Sequence, residues 1–179
     1  MNPLISADQG ISLRPCQVED EPFLLDVYSS TREDEMALVD WTQEQKEAFL
    51  GMQFNAQRRH YAANFPGTQF LVILKGNQPI GRLYLNRDPQ EILILDIALL
   101  PEYRDSGIGT WVIRDLQAQA RASNSPIRLH VETFNRAMSL YQKLGFTTIA
   151  EVGFYYEMIW QPEAEWILEP SRGEKNHAT

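Results

Sequence analysis

The spacing of apolar and polar residues changes several times along the chain, and each change marks the edge of an element. Ile11 to Arg14 alternates and stops at Pro15, which predicts an opening strand. Behind Asp20, a residue suited to a cap, Phe23, Leu24, Val27 and Tyr28 recur at helical spacing and predict a first helix to about Ser30. Thr31 to Trp41 is acidic and has no period. Thr42, followed by Glu44 and Gln45, opens a long helix in which Phe49, Met52 and Ala56 mark one face, and Pro66-Gly67 ends it.

Strand patterns dominate the next stretch. Gln69 to Lys75 reads as a buried strand, and Gly76-Asn77-Gln78-Pro79 turns the chain into a second, Ile80 to Asn86. After Asp88-Pro89-Gln90, Ile92 to Leu100 is the most apolar run in the sequence, as a central strand covered on both faces requires. A helix from Gly107 to about Ala122, with Ile108, Val112 and Leu116 along one side, breaks at Asn124-Ser125-Pro126. The strand Ile127 to Thr133 comes next, then a short helix capped by Asn135 and stopped by Gly145. Thr147 to Glu151 and Phe154 to Trp160 close the chain as a hairpin around Gly153. This order predicts a mixed α/β (α+β) domain over residues 1–161, with seven strands in one sheet and about four helices. The tail, residues 162–179, is polar except for Trp166-Ile167-Leu168, which points to docking on the sheet or on a neighbouring subunit.

Composition narrows the function. At 179 residues, 44% of them hydrophobic, the chain is long enough to bury one full core and too short for two. The net charge is −8 and no stretch gathers Lys and Arg on one face, so a nucleic-acid partner lacks its electrostatic footprint. An acidic surface favours an amine-bearing partner, although a negatively charged protein needs no partner to explain it. Cys16 is the only cysteine, which excludes an intrachain disulfide and a cysteine zinc cluster and fits a reducing, cytoplasmic compartment. His60, His130 and His177 have no metal-ligand spacing, so no metal is expected. No leader of signal-peptide type and no membrane-length apolar run is visible, which predicts a soluble protein without a membrane partner. Nothing separates a monomer from a homodimer.

The chemistry concentrates where the central strand passes through a short loop into a helix, from Ile97 to Thr110. Unpaired N–H groups at a helix start and the helix dipole together suit an anion. Gly107 and Gly109 allow a close approach of backbone to ligand, or simply serve the turn. A Walker loop is excluded because its Gly-Lys-Ser/Thr is missing, and a Rossmann fingerprint fails because Val112 stands where its third glycine belongs.

Arg104-Asp105-Ser106-Gly107-Ile108-Gly109, preceded by Pro101 and Tyr103, resembles the Arg/Gln-x-x-Gly-x-Gly/Ala loop of the GNAT superfamily of acetyl-CoA-dependent N-acetyltransferases. A second motif agrees: Asn135, Ala137 and Leu140-Tyr141-Gln142-Lys143-Leu144-Gly145-Phe146 match the family's next helix. The resemblance implies a mostly antiparallel sheet splayed at a central parallel pair. It implies that backbone groups of Ile97, Ala98 and Leu99 pair with the pantetheine arm of acetyl-CoA, and that Arg104, Asp105, Ser106, Gly107, Ile108, Gly109 and Thr110 form the pyrophosphate loop. It also implies transfer of acetyl to an amine acceptor by direct attack on the thioester. Asn135 would touch the pantetheine, cap its helix, or both. Tyr141 resembles the general acid at the departing thiolate; its other reading is a core aromatic. His130 takes the position of a base used by some members, with Glu132 and a water relay as alternatives. The family's usual acceptor region falls here on Glu33, Asp34 and Trp41, which is also readable as a solvated loop. A protein of the same fold that only binds acyl-CoA is the alternative to an enzyme.

Overall fold

The computed structural model describes residues 10–162. Seven strands, β1 (Ile11–Pro15), β2 (Thr68–Lys75), β3 (Gln78–Arg87), β4 (Ile92–Leu99), β5 (Ile127–Glu132), β6 (Thr147–Val152) and β7 (Tyr155–Trp160), form one sheet in the order β1-β2-β3-β4-β5-β7-β6. Five helices accompany it: α1 (Glu21–Ser30), α2 (Glu33–Ala37), α3 (Gln43–Asn64), α4 (Ile108–Ser123) and α5 (Met138–Lys143). All neighbouring strands are antiparallel except β4 and β5, which run parallel because α4 carries the chain back between them. The mixed α+β architecture is the one the sequence predicts, with α2 as a fifth helix. At five residues, with three acids in its first turn and nothing buried, α2 is too short and too polar to show a period. The expected docking of Trp166-Ile167-Leu168 lies outside the described residues. Among them, no helix is long and apolar enough to cross a membrane and no cluster could hold a metal ion.

Each face of the sheet has its own core. On one, Ile108, Val112, Ile113 and Leu116 of α4 pack with Tyr141 and Phe146 onto Leu83, Leu85, Ile94, Leu129 and Met158. On the other, Leu24 and Tyr28 of α1 meet Leu50 and Phe54 of α3 over Val72. The inner face of α3 is therefore not the expected Phe49, Met52 and Ala56 stripe: Met52 is 60% exposed and Ala56 is also exposed. The inward stripe includes glutamines, which hides it from a hydrophobic count. Gln53 accepts a hydrogen bond from the Tyr28 hydroxyl, and Gln57 one from Arg82.

Local chemistry sets the ends of several elements. Thr42 and Gln45 form the expected reciprocal cap of α3. Asp20, expected to cap α1, instead turns its carboxylate to Arg14, at 2.6 and 2.7 Å, and to the Gln17 N–H. Asn135 does not cap α5 directly: its Oδ1 accepts from the Ala137 N–H, an Asx-type turn, and the helix starts at Met138. Gly145, at φ 85°, supplies the left-handed residue that stops α5.

Two stability predictions arise here. Gly81 lies where β3 pairs with β4 so closely that a Cβ would run into the Ala98 carbonyl oxygen. Gly81→Ala is expected to destabilise by about 1–3 kcal/mol through overpacking, read from denaturant midpoints. For Asp20, the hydrogen bonds from Arg14 hold the carboxyl below its usual range. A depressed native pKa contributes stability that is present above the unfolded value, near 4, and lost as pH falls through the native one. Asp20→Asn should therefore lower the melting temperature at neutral pH, with the gap to wild type closing as the scan moves below about pH 4.

Candidate active site

The parallel pair holds for only three positions, Ile92 with Ile127, Leu93 with Arg128 and Ile94 with Leu129, and then the strands separate. At that point β4 carries a bulge: Leu85 pairs with Ile94 and Tyr84 with Asp96, leaving Leu95 as the extra residue. Beyond it, β4 has an edge with no strand against it among the described residues. The Leu100 N–H bonds to the Ile80 carbonyl across β3, so by alternation Ile97 and Leu99 turn their backbone groups away from β3 and into the gap. Two of the gap-facing carbonyls are already paired, Leu95 with the Tyr61 hydroxyl and Leu99 with Arg104 Nε. Among the described residues, both polar groups of Ile97 and the Leu99 N–H have no partner. Ala98 points its backbone to β3 instead and lends its side chain to the wall.

The gap opens a cleft of about 230 Å³. Thr31 and Arg32, from the link between α1 and α2, edge it on the side covered by α3, together with Gln57 and Tyr61. Asn135 and Tyr141 close the other side, and His130, Glu132 and Tyr155 line the wall from β5 and β7. Glu33, Asp34 and Trp41 are not among the lining residues. Trp41 packs edge-on against Phe49 at 5.1 Å, and the carboxylates of α2 face solvent.

After β4, a turn at Pro101–Tyr103 leads into the loop and α4. The Arg104 side chain folds back onto the protein. It donates to the Leu99 carbonyl at 2.9 Å and to the Ser30 hydroxyl at 2.8 Å, fastening the loop to β4 and to the end of α1. Asp105 and Gly107 both have positive φ, 56° and 84°, so consecutive amides curl around one point. The start of α4 has no side-chain cap and no acid in its first turn, which leaves the N–H groups from Ile108 to Thr110 without a competing anion. Gly109 has room for a Cβ, 3.5 Å from Leu140, so its lack of a side chain serves the open space in front of the helix rather than the packing.

Tyr141 is 6% exposed and stacks edge-on against Phe146. Burial, with a smaller push from Asp96, raises its hydroxyl well above the usual tyrosine range, so it stays protonated. Glu132 lies 3.7 Å from Arg32, which is also bonded to Glu35 at 2.7 Å and lies over the Tyr28 ring. His130 is exposed at the edge of the cleft, on the β5 face it shares with Glu132, and pairs with Glu157 of β7. A further carboxylate, Asp96, lines the cleft beside a buried arginine, Arg82, with Nε and Oδ2 2.6 Å apart.

The model of the acetyltransferase (GNAT) family matches residues 33–146. The chain belongs to this family. Among solved structures, the GNAT chain superposes on the PaiA N-acetyltransferase of Thermoplasma acidophilum, a complex with coenzyme A, with a TM-score of 0.65 and 21% identity over 85% of this chain and 99% of that one. An acetyltransferase from Thermus thermophilus matches with a TM-score of 0.63 and 14% identity, covering 85% and 97%. A ribosomal-protein alanine N-acetyltransferase from Escherichia coli matches with a TM-score of 0.56 and 14% identity, covering 84% and 93%. At these identities the likeness shows the fold; the family match makes this GNAT chain an acetyltransferase by membership and leaves its acceptor open.

Proposed function

We propose that this protein transfers an acetyl group from acetyl-CoA to a primary amine, on a small molecule or at a peptide N-terminus or lysine, by direct attack on the thioester. The observation that carries the reading is the pairing of an unpartnered β4 edge with an uncapped, glycine-bearing helix start at its end. An extended pantetheine arm is a strand-like ligand for the Ile97 and Leu99 backbone, and the loop from Asp105 to Thr110 then takes the pyrophosphate. A backbone N–H aimed into the gap is also the kind of donor that stabilises a tetrahedral oxyanion. Tyr141 closes the α5 side and donates to the departing sulfur. The acceptor comes from the opposite side, past Arg32, Glu132 and Tyr155, and His130 and Glu132 both edge that path.

Cys16 fits a cytoplasmic setting. It is half-buried, and burial pushes its thiol up to about 11, which keeps it protonated and unreactive. The transferase reading is tested by a panel of amines and peptides monitored by free-thiol release from acetyl-CoA. At least one acceptor class should give release that needs both substrates. Tight acetyl-CoA binding without release from any acceptor would mark a binding module instead.

A further inference from the structure

Arg82 sits in the middle of the sheet and is 1% exposed. Its guanidinium carbon lies 5.1 Å from the Tyr84 ring centre, 5.4 Å from that of Tyr28 and 6.0 Å from that of Phe54. A buried pair is rarely the most stable filling for such a place, and apolar side chains of equal volume commonly do as well or better. What the arginine does achieve is to hold one carboxylate at the cleft wall. Asp96 is 21% exposed there, and although its Oδ2 is 2.6 Å from Arg82 Nε, the N–H is not aimed along the contact. Oδ2 is buried against the guanidinium, so charge holds that oxygen and the exposed part of the side chain faces the cleft.

The bulge at Leu95 is what delivers Asp96 to this place. Ile94 packs in the core under α4, and without the extra residue Asp96 would share that face. With it, Asp96 joins Arg82 and Tyr84 on the α3 side, where the acceptor path opens. We propose that Asp96 is the group that takes the proton of the incoming amine, with Arg82 as the positioning residue that holds its carboxyl group at the cleft wall. This rests on the transferase reading and deepens it. The ammonium gives one proton to Asp96, and the freed nitrogen lone pair attacks the thioester carbonyl carbon. As the C–S bond breaks, the sulfur takes a proton from Tyr141, which recovers one from the nitrogen as the amide forms. Asp96 returns its proton to water, one net proton per turnover.

Several charges bear on Asp96. Arg82 and Tyr84 face it from β3, Tyr61 from α3, and Arg32 from the link after α1. Tyr141 of α5 shares the cleft, as do His130, Glu132 and Tyr155 on the far wall. Burial raises the Asp96 carboxyl above its ordinary range, with Arg82 and then Arg32 pulling against that rise, which brings its basicity nearer to that of an amine.

The test uses the full chain and an amine found by thiol release. Asp96→Asn is expected to lower kcat about 100-fold or more, with acetyl-CoA affinity within about twofold. Arg82→Gln should move the acidic limb of the pH profile of kcat/KM to higher pH, because the carboxylate has lost the cation favouring it. A purely structural arginine would leave that limb in place. Asp96→Asn strands a buried cation, so Arg82→Gln/Asp96→Asn, which is neutral, serves as the folded control and should be as inactive as the single variant. An active wild type with Asp96→Asn or the double variant within about threefold of it, or an unmoved limb in Arg82→Gln, overturns the inference alone. A wild type that acetylates no amine overturns the transferase reading as well.

Discussion

Tyr141→Phe is expected to lower kcat by about 100-fold or more and to leave acetyl-CoA affinity within about twofold. The ring is buried in the α4-side core, edge-on against Phe146, and phenylalanine fills the same volume without the hydroxyl, so the fold persists. What disappears is a donor at the leaving sulfur. A tyrosine near 10 is a weaker acid than a thiol near 8.5, and burial raises Tyr141 further, so complete transfer to the sulfur runs uphill. Its effect is a hydrogen bond that strengthens as the C–S bond lengthens and negative charge builds on sulfur. That interaction belongs to the transition state, which places the loss in kcat rather than in KM. Steady-state kinetics with a saturating acceptor, paired with equilibrium binding of acetyl-CoA, separates the two.

Gly109→Asp is expected to uncouple stability from binding. A Cβ at Gly109 would meet only Leu140, at 3.5 Å, so a side chain can start from the first turn of α4 there without a clash. A negative charge there complements the helix dipole by about 0.3–1 kcal/mol, and the substitution also removes the backbone freedom that glycine gives the unfolded chain. Melting temperature should hold or rise. The same carboxylate occupies the place offered to the pyrophosphate and repels it, so affinity for acetyl-CoA should fall about 100-fold or more, with the loss growing at low salt. A joint fall in melting temperature and affinity would show that the glycine serves packing rather than the ligand.

The phosphate loop is legible in the sequence because its parts are contiguous: strand, Pro101, Arg104, Gly107 and Gly109 lie close together along the chain and local chemistry fixes their geometry. The motif does not show where the Arg104 side chain goes, since its partners Leu99 and Ser30 are a matter of tertiary structure. The acceptor side is largely illegible. A period-two reading of Ile92 to Leu100 assigns Asp96 to the face of Ile94, and only the bulge at Leu95 reverses it. Arg82 and Asp96 meet as diagonal neighbours on separate strands, a relation that no sequence spacing encodes. The α3 stripe fails for a related reason, because the polar groups that meet buried Arg82 and Tyr28 are glutamines on the inner face. The acidic run at Glu33 and Asp34 draws attention by charge, whereas the cleft-lining residues of that segment are Thr31 and Arg32.

The most direct measurement counts both products of one reaction mixture: free coenzyme A thiol by titration and acetylated amine by mass spectrometry. Equal amounts of the two, each dependent on enzyme and amine and both falling together in Tyr141→Phe, are the result expected of direct transfer. Thiol released without acetylated amine would mean thioester hydrolysis, and would contradict an acceptor path leading from Arg32 and Asp96 to the Ile97 edge.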